Sequence, residues 1–248
     1  MRLFDQQLLE INDWLTGKKT DRKVIEFYHQ VRVDWPAGEK RNIVLGQDTA
    51  VELGNPQQES TAFLLWTNDP DKIRPGVISL IGRDLPLCAG EKLPFGKVVL
   101  IGGEDFNEEN LYDRSTEMEY VRFALDLKGY MMRAVSQYQR EWSRVSKEAL
   151  QHGFSFQILG SALIDQFLKL EYIKAVEVIF ITSSKDHVLE LKKMGAEVLQ
   201  IIRAMNKMAE EKFLDCDTCD YKTICDDVTD LKLMRASLQK KKRNRPFH

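Results

Sequence analysis

Long apolar runs are missing from this sequence, and so is a strong charge of either sign. No stretch of eighteen apolar residues occurs, so no membrane-spanning helix is expected. Acidic residues at positions 5, 10 and 13 interrupt the apolar N-terminal stretch, which does not fit a signal peptide. Lys and Arg number 36 and Asp and Glu 38, so the net charge indicates no class of partner. We expect a cytoplasmic protein with no membrane association.

Common signatures of nucleotide binding and nucleophilic catalysis are missing as well. Gly102 and Gly103 follow a β-rich run, but they lack both the G-x-G-x-x-G spacing and the Gly-Lys-Ser/Thr ending of a P-loop. The four histidines form no recognisable Ser/His/Asp or Cys/His set. The basic run at 240–245 lacks interleaved aromatic residues that would stack on bases, so nucleic acid is not an expected partner.

The pattern of apolar residues predicts an α/β fold, a mixed sheet with flanking helices. The run VEVIFIT at 176–182 is continuous enough to be buried on both faces of a sheet. Ser183 or Ser184 is a suitable N-cap for the long helix that follows it. Other predicted strands are 63–67, 77–81, 97–101 and 154–159, and other predicted helices are 4–15, 162–170, 228–238 and most of 108–151.

Cysteine is scarce, yet three of the four cysteines stand within ten residues, in the sequence CDTCDYKTICDD at 216–227. Two residues separate Cys216 from Cys219, and five separate Cys219 from Cys225, so three thiolates come from one short loop. In a reducing compartment such a group favours metal binding over disulfides. We therefore divide the chain into an α/β domain at 1–212 and a Cys-rich metal-binding segment at 213–248.

A 4Fe-4S cluster or a tetrahedral zinc ion takes four protein ligands, so a fourth ligand must come from elsewhere in the chain. Cys88 is the remaining cysteine. His187 or His248 would instead complete a Cys3His zinc site, and a triplet of thiols without metal is a further interpretation. Five aspartates surround the thiols and are expected to lower the reduction potential of a cluster: Asp215, Asp217, Asp220, Asp226 and Asp227.

Three stretches resemble, in order and spacing, the β subunit of the carbon monoxide dehydrogenase/acetyl-CoA synthase complex. They are LGQDTAVELGNP at 45–56, WSRVSKEALQHGF at 142–154 and VIFIT at 178–182, with PFG at 94–96 between the first two. Asn55 stands where that family has a glycine. The resemblance spans about 24–212 and covers the α/β domain that precedes the family's nickel-bearing domain.

The resemblance implies a cluster site and a coenzyme A site. In that family a cysteine-rich segment after this domain holds a 4Fe-4S cluster, and Cys216 and Cys219 fall at its first C-x2-C. Coenzyme A binding is associated with the W-x-R motif, here Trp142 and Arg144, with Arg140 and Lys147 nearby. An indole can stack on adenine while a guanidinium grips phosphate.

The family's Cys-Gly-Cys nickel site is not found in these 248 residues. The resemblance therefore implies an accessory, assembly or electron-transfer role in anaerobic CO and one-carbon metabolism, and no synthase activity of this chain alone. Its expected partner is a protein of a CO dehydrogenase/acetyl-CoA synthase or corrinoid methyl-transfer system. A coenzyme A-binding subunit with the catalytic metal on another chain and a zinc-stapled interaction module are the alternatives.

Overall fold

The computed structural model of the chain contains two β-sheets with helices packed against them. It describes residues 2–20, 24–31, 34–38, 42–136, 140–210, 216 and 219–243. In this part of the chain the helices are α1 (Asp5–Thr20), α2 (Leu111–Phe123), α3 (Lys147–Gln151), α4 (Phe156–Phe167), α5 (Lys185–Glu210), α6 (Lys222–Asp227) and α7 (Thr229–Arg243). The strands are β1 (Val24–Tyr28), β2 (Thr49–Leu53), β3 (Ser60–Thr67), β4 (Val77–Ile81), β5 (Lys92–Leu93), β6 (Phe95–Gly103), β7 (Tyr130–Ser136), β8 (Arg140–Ser146) and β9 (Ile173–Ile181).

Both sheets are mixed. The larger has the strand order β1-β4-β9-β6-β3, with β4 parallel to β9, β6 parallel to β3, and the other two pairs antiparallel. The smaller has the order β5-β2-β8-β7, in which only β5 and β2 are parallel. The predicted α/β class with a mixed sheet is confirmed, and a second sheet is added to it. The predicted boundary at 212/213 lies outside the described residues.

The strand predicted at 176–182 is confirmed as the centre of the larger sheet. Every residue of β9 except Lys174 is buried, because α4 covers one face and neighbouring strands flank both edges. Phe180 of β9 packs against Phe156 of α4, with ring centroids 4.8 Å apart. The predicted N-cap is also present, since Ser184 Oγ accepts a hydrogen bond from His187 N at 3.2 Å.

Two predicted elements are wrong. The helix predicted through 108–151 ends at Phe123 and is followed by the hairpin of β7 and β8. The inward residues of β8 include Glu141 and Ser143, so the strand shows no alternation of apolar and polar residues. The strand predicted at 154–159 is the start of α4, where Ser155 Oγ accepts a hydrogen bond from Ile158 N at 3.3 Å. This cap favours a helix over a strand, because the Ser155 side chain accepts a hydrogen bond from a backbone amide that has no other partner in the first turn.

The smaller sheet and α5 lie on opposite faces of the larger sheet. Phe63 of β3 is paired with Val98 of β6, and the adjacent Lys97 points to the other face because strand side chains alternate. Phe63 contacts α5, whereas Lys97 contacts Glu141 of β8. The larger sheet is therefore the middle layer.

A glycine allows α5 to lie close to β3. A Cβ atom at Gly195 would be 2.8 Å from Phe63 Cδ1 and 3.3 Å from Thr61 Oγ1. Both of these side chains are buried, so neither can turn out to solvent. Gly195 thus determines the distance between α5 and the sheet, and with it the position of the segment that follows α5.

Replacing this glycine should destabilise the protein. We expect Gly195→Ala to lower the free energy of unfolding by about 1–2 kcal/mol, because overpacking outweighs the better helix propensity of alanine. The matched control is Gly17→Ala in α1, where nothing lies within 4 Å of the added Cβ. That variant should gain up to about 1 kcal/mol. Urea unfolding measures both, and equal stabilisation by the two changes would contradict the close contact.

A buried pair of opposite charges joins the two sheets. Lys97 Nζ of β6 contacts Glu141 Oε2 of β8, and both side chains are almost completely shielded from solvent. Tyr130 donates a hydrogen bond to Glu141 Oε1 at 3.1 Å, and Ser60 Oγ donates to the Glu141 carbonyl at 2.7 Å. Burial lowers the pKa of Lys97, which Glu141 opposes, and burial raises the pKa of Tyr130. Each charge depends on the other to remain buried.

Removing one charge of this pair should lower the free energy of unfolding more than replacing both charges with apolar side chains. We expect Lys97→Met to destabilise the protein by about 3–5 kcal/mol, because Glu141 is then left as an unpaired buried charge. The double variant Lys97→Met with Glu141→Leu should recover most of that loss. Chemical unfolding of the two single variants and the double variant gives the coupling energy. Additive effects of the two substitutions would show that the pair is not coupled.

Candidate metal centre

Cys216, Cys219 and Cys225 line one small cavity, as the sequence predicts for a shared site. The cavity lies where the C-terminal end of α5 meets α6 and α7, and these three helices pack against one another. Cys225 lies in α6 and is buried, whereas Cys216 and Cys219 precede that helix and are partly exposed. The Cys219 carbonyl accepts a hydrogen bond from Lys222 N at 3.0 Å, which places Cys219 directly at the start of α6.

The remaining wall of the cavity is apolar on one side and basic on the other. Ala204 and Met208 of α5 form the apolar side together with the ring of Tyr221, while three cations complete the wall: Lys207, Lys222 and Arg235. Lys207 also lies over the Tyr221 ring, 5.8 Å from its centroid. Three sulfur donors beside cations suit a group that becomes strongly anionic when thiolates bind it.

The cavity encloses about 20 Å³, room for about one water molecule. Among the residues that the structure describes, no three His, Cys, Asp or Glu side chains come close enough together to hold a single metal ion. A 4Fe-4S cluster is bound differently, with its thiolates distributed over separate irons. Three cysteine thiols on one cavity are a donor set that a cluster can use, because each thiolate ligates its own iron.

Burial raises the pKa of the Cys225 thiol. The charge of Arg235 acts against this rise, while Cys219, Cys216 and Asp226 add to it. Thiolate ligands must lose their protons when metal binds, so the cation beside them favours the bound form.

Cys88 does not line this cavity, and its assignment as the fourth ligand stays a prediction. Cys88 is buried after a short 3-10 helix, with its Sγ 3.9 Å from the carbonyl oxygen of Arg83, and it is not among the residues that line the cavity. Burial raises the pKa of its thiol, which Arg83 opposes. The charged groups that act on it are Arg83, Glu91 and Asp84.

His187, which the zinc alternative would use as a ligand, does not line the cavity. His187 lies in the first turn of α5, twenty residues before Lys207 of the cavity, which is about 30 Å along a helix. Its Nδ1 is 2.8 Å from Ser183 Oγ. His248, the other histidine considered for this site, lies outside the described residues.

The aspartates expected to surround the thiols with negative charge do not line the cavity where the structure describes them. Asp226 forms ion pairs with Lys222 at 3.2 Å and with Arg235 at 2.5 Å, and these contacts lower its pKa. Asp220 and Asp227 are exposed and do not line the cavity. Asp215 and Asp217 are outside the described residues. Among the described side chains, those with full charge that line the cavity are therefore cations.

Three of the residues predicted to bind coenzyme A lie on β8 of the smaller sheet, away from the cysteine cavity, and Lys147 begins α3. Alternation along β8 puts Arg140, Trp142 and Arg144 on one face of the smaller sheet. The Arg144 guanidinium lies 5.4 Å from the Trp142 ring centroid, and Arg133 of β7 lies 5.2 Å from it. Arg133 is exposed, and the sequence alone did not point to it, because a bulge between Met132 and Ala134 brings it to this ring.

The three predicted cations already have partners within the chain. Arg144 Nε donates to Glu52 Oε1 at 2.8 Å, Arg140 Nη2 donates to the Asn55 carbonyl at 2.5 Å, and Lys147 Nζ donates to the Gln47 carbonyl at 2.8 Å. Burial alone would raise the pKa of Glu52, but hydrogen bonds from Asn55 and Arg144 outweigh it and lower that pKa. The Arg140 contact holds the loop before β3 against β8, whereas the Arg144 and Lys147 contacts tie β8 and α3 to β2 and the turn before it.

A family model for the CO dehydrogenase/acetyl-CoA synthase complex beta subunit matches residues 36–188. The chain belongs to this family. It is 28% identical over 166 residues to the acetyl-CoA decarbonylase/synthase complex subunit beta of Methanopyrus kandleri, a match that covers 66% of this chain and 33% of that relative. The chain thus spans about a third of the relative's length. The matched range contains β2 to β9 and ends in the first turn of α5, so the cysteine cavity lies beyond it.

None of the helices in the described part of the chain combines the length and the apolar character needed to cross a membrane.

Proposed function

We propose that this member of the family is an iron–sulfur protein that carries a 4Fe-4S cluster on Cys216, Cys219, Cys225 and a fourth ligand from outside the cavity lining. Its role is that of an accessory, assembly or electron-transfer component in anaerobic CO and one-carbon metabolism. Its partner is a protein of a CO dehydrogenase/acetyl-CoA synthase complex or a corrinoid methyl-transfer system. The observation that carries the proposal is the cavity that these three cysteines share.

The residues of the cavity suit such a centre in three ways. The cysteines supply thiolates, the ligands that iron–sulfur clusters take. Met208 and the Tyr221 ring keep water from one side, and the basic side chains offset negative charge. A bound cluster supplies one-electron transfer, and its position beside partly exposed side chains would leave it accessible to a protein partner.

Metal analysis after purification without oxygen tests the proposal. We expect iron and acid-labile sulfide in equal amounts, and loss of most of both in Cys216→Ala, Cys219→Ala and Cys225→Ala. Cys88→Ala is the matched control, and it should keep the wild-type content because Cys88 does not line the cavity.

Zinc without sulfide would favour the interaction module instead. A colourless protein that contains neither iron nor sulfide would remove the cluster proposal. A Cys88→Ala variant that loses its iron would restore Cys88 as a ligand and require a different placement of the C-terminal segment.

A coenzyme A-binding role is the second candidate, and the two guanidinium groups beside Trp142 favour it. Arg133 is exposed and can reach a phosphate, while Arg144 is held by Glu52 and keeps its place beside the indole. In this role the chain would present the adenine end of coenzyme A to a catalytic metal on another polypeptide.

Fluorescence separates this role from the first. Coenzyme A should quench the emission of Trp142, and Arg133→Ala should weaken binding about tenfold, the loss of one charged hydrogen bond. Arg203→Ala, which removes an exposed arginine of α5, is the control and should leave binding unchanged. Trp142→Phe should abolish the quenching. A wild-type protein that does not respond to coenzyme A would exclude this role.

A further inference from the structure

We infer that Arg235 is a positioning residue of the thiolate centre, which compensates the charge on Cys216 and Cys225 and thereby sets the reduction potential of the bound cluster. The inference rests on the proposed cluster site and assigns a role to a residue outside the cysteine motif. Arg235 stands ten residues after Cys225, in a different helix, and lines the same cavity as the three thiols.

The fold holds Arg235 in this place from two directions. Leu231 and Met234 of α7 are buried against the core, and Arg235 lies one helical turn from Leu231 on the same side of the helix. Its guanidinium donates to Asp226 Oδ1 of α6 at 2.5 Å, and only 17% of its side chain is exposed. An arginine fixed in this way presents its charge to the cavity without the rotational freedom of a surface side chain.

Arg235 is better suited to this role than the neighbouring lysine. The side chain of Lys222 is 48% exposed, so solvent screens its charge. The charge of Arg235 acts on both Cys216 and Cys225, and Arg keeps its proton at any physiological pH. A shielded permanent cation beside thiolates stabilises the more negative, reduced form of a cluster.

A purely structural role for Arg235 makes a different prediction. The ion pair with Asp226 ties α7 to α6, and its loss would loosen the helices whichever partner is removed. Asp226→Asn removes the pair but leaves the positive charge beside the thiols. Arg235→Gln removes the charge itself. The two variants therefore separate electrostatic compensation from a tie between helices.

The experiment measures the midpoint potential of the cluster-loaded full chain by titration followed by EPR. We expect Arg235→Gln to shift the ratio of reduced to oxidised cluster about tenfold towards the oxidised form, a potential about 59 mV lower for one electron. Arg235→Lys should restore most of the shift, and Asp226→Asn should give an unchanged or higher potential. Lys232→Gln, an exposed change on α7, is the control and should match the wild type.

Each outcome decides for or against the role. If Arg235→Gln keeps its iron and sulfide and has the wild-type potential, the inference is overturned. Loss of the cluster from Arg235→Gln but not from Arg235→Lys and Asp226→Asn supports it, whereas loss from both Arg235→Gln and Asp226→Asn shows a tie between helices and overturns it. A wild-type chain that binds no iron or sulfide refutes the cluster proposal itself, and the role of Arg235 falls with it.

Discussion

The contact between Lys97 and Glu141 fixes how the two sheets meet, and the rest of the fold depends on it. Neither charge has access to water, so each is stable only where the other is present. A shift of β8 along the larger sheet would separate them and would also break the hydrogen bonds between Ser60 and Glu141. The pair therefore specifies one arrangement of the layers, which an apolar contact would specify less sharply.

β3 transmits this arrangement to the cysteine cavity. Its first residue, Ser60, forms a hydrogen bond with β8. Thr61 and Phe63, whose side chains point to the opposite face, lie against Gly195 of α5. α5 therefore has one position on the sheet, and its last turns carry Lys207 and Met208 to the cavity. The part of the chain that matches the family ends where α5 begins, so this helix joins the family domain to a site that lies outside the match.

Local patterns were a good guide where the buried side chains are apolar. β4, β6 and β9 could be predicted because their apolar runs are short and rich in β-branched residues. The three cysteines could be assigned to one site because their spacing lets them converge. β7 and β8 could not be predicted, because two of the three side chains that β8 buries, Glu141 and Ser143, are polar and become acceptable only beside Lys97 and Tyr130. Counting ligands assigns Cys88 to the site without regard to distance, and Cys88 does not line the cavity.

By itself the sequence determined the α/β class, the family and the grouping of three cysteines in one short segment. Composition, motif order and short spacings are properties of the chain. Only the tertiary structure decided what surrounds those thiols. It brought Arg235 and Lys207 to the cavity and kept His187 and Cys88 away from it, and it placed Arg133 beside Trp142. The physical reason is that electrostatic compensation acts through space, between groups whose separation along the chain carries no information about their distance.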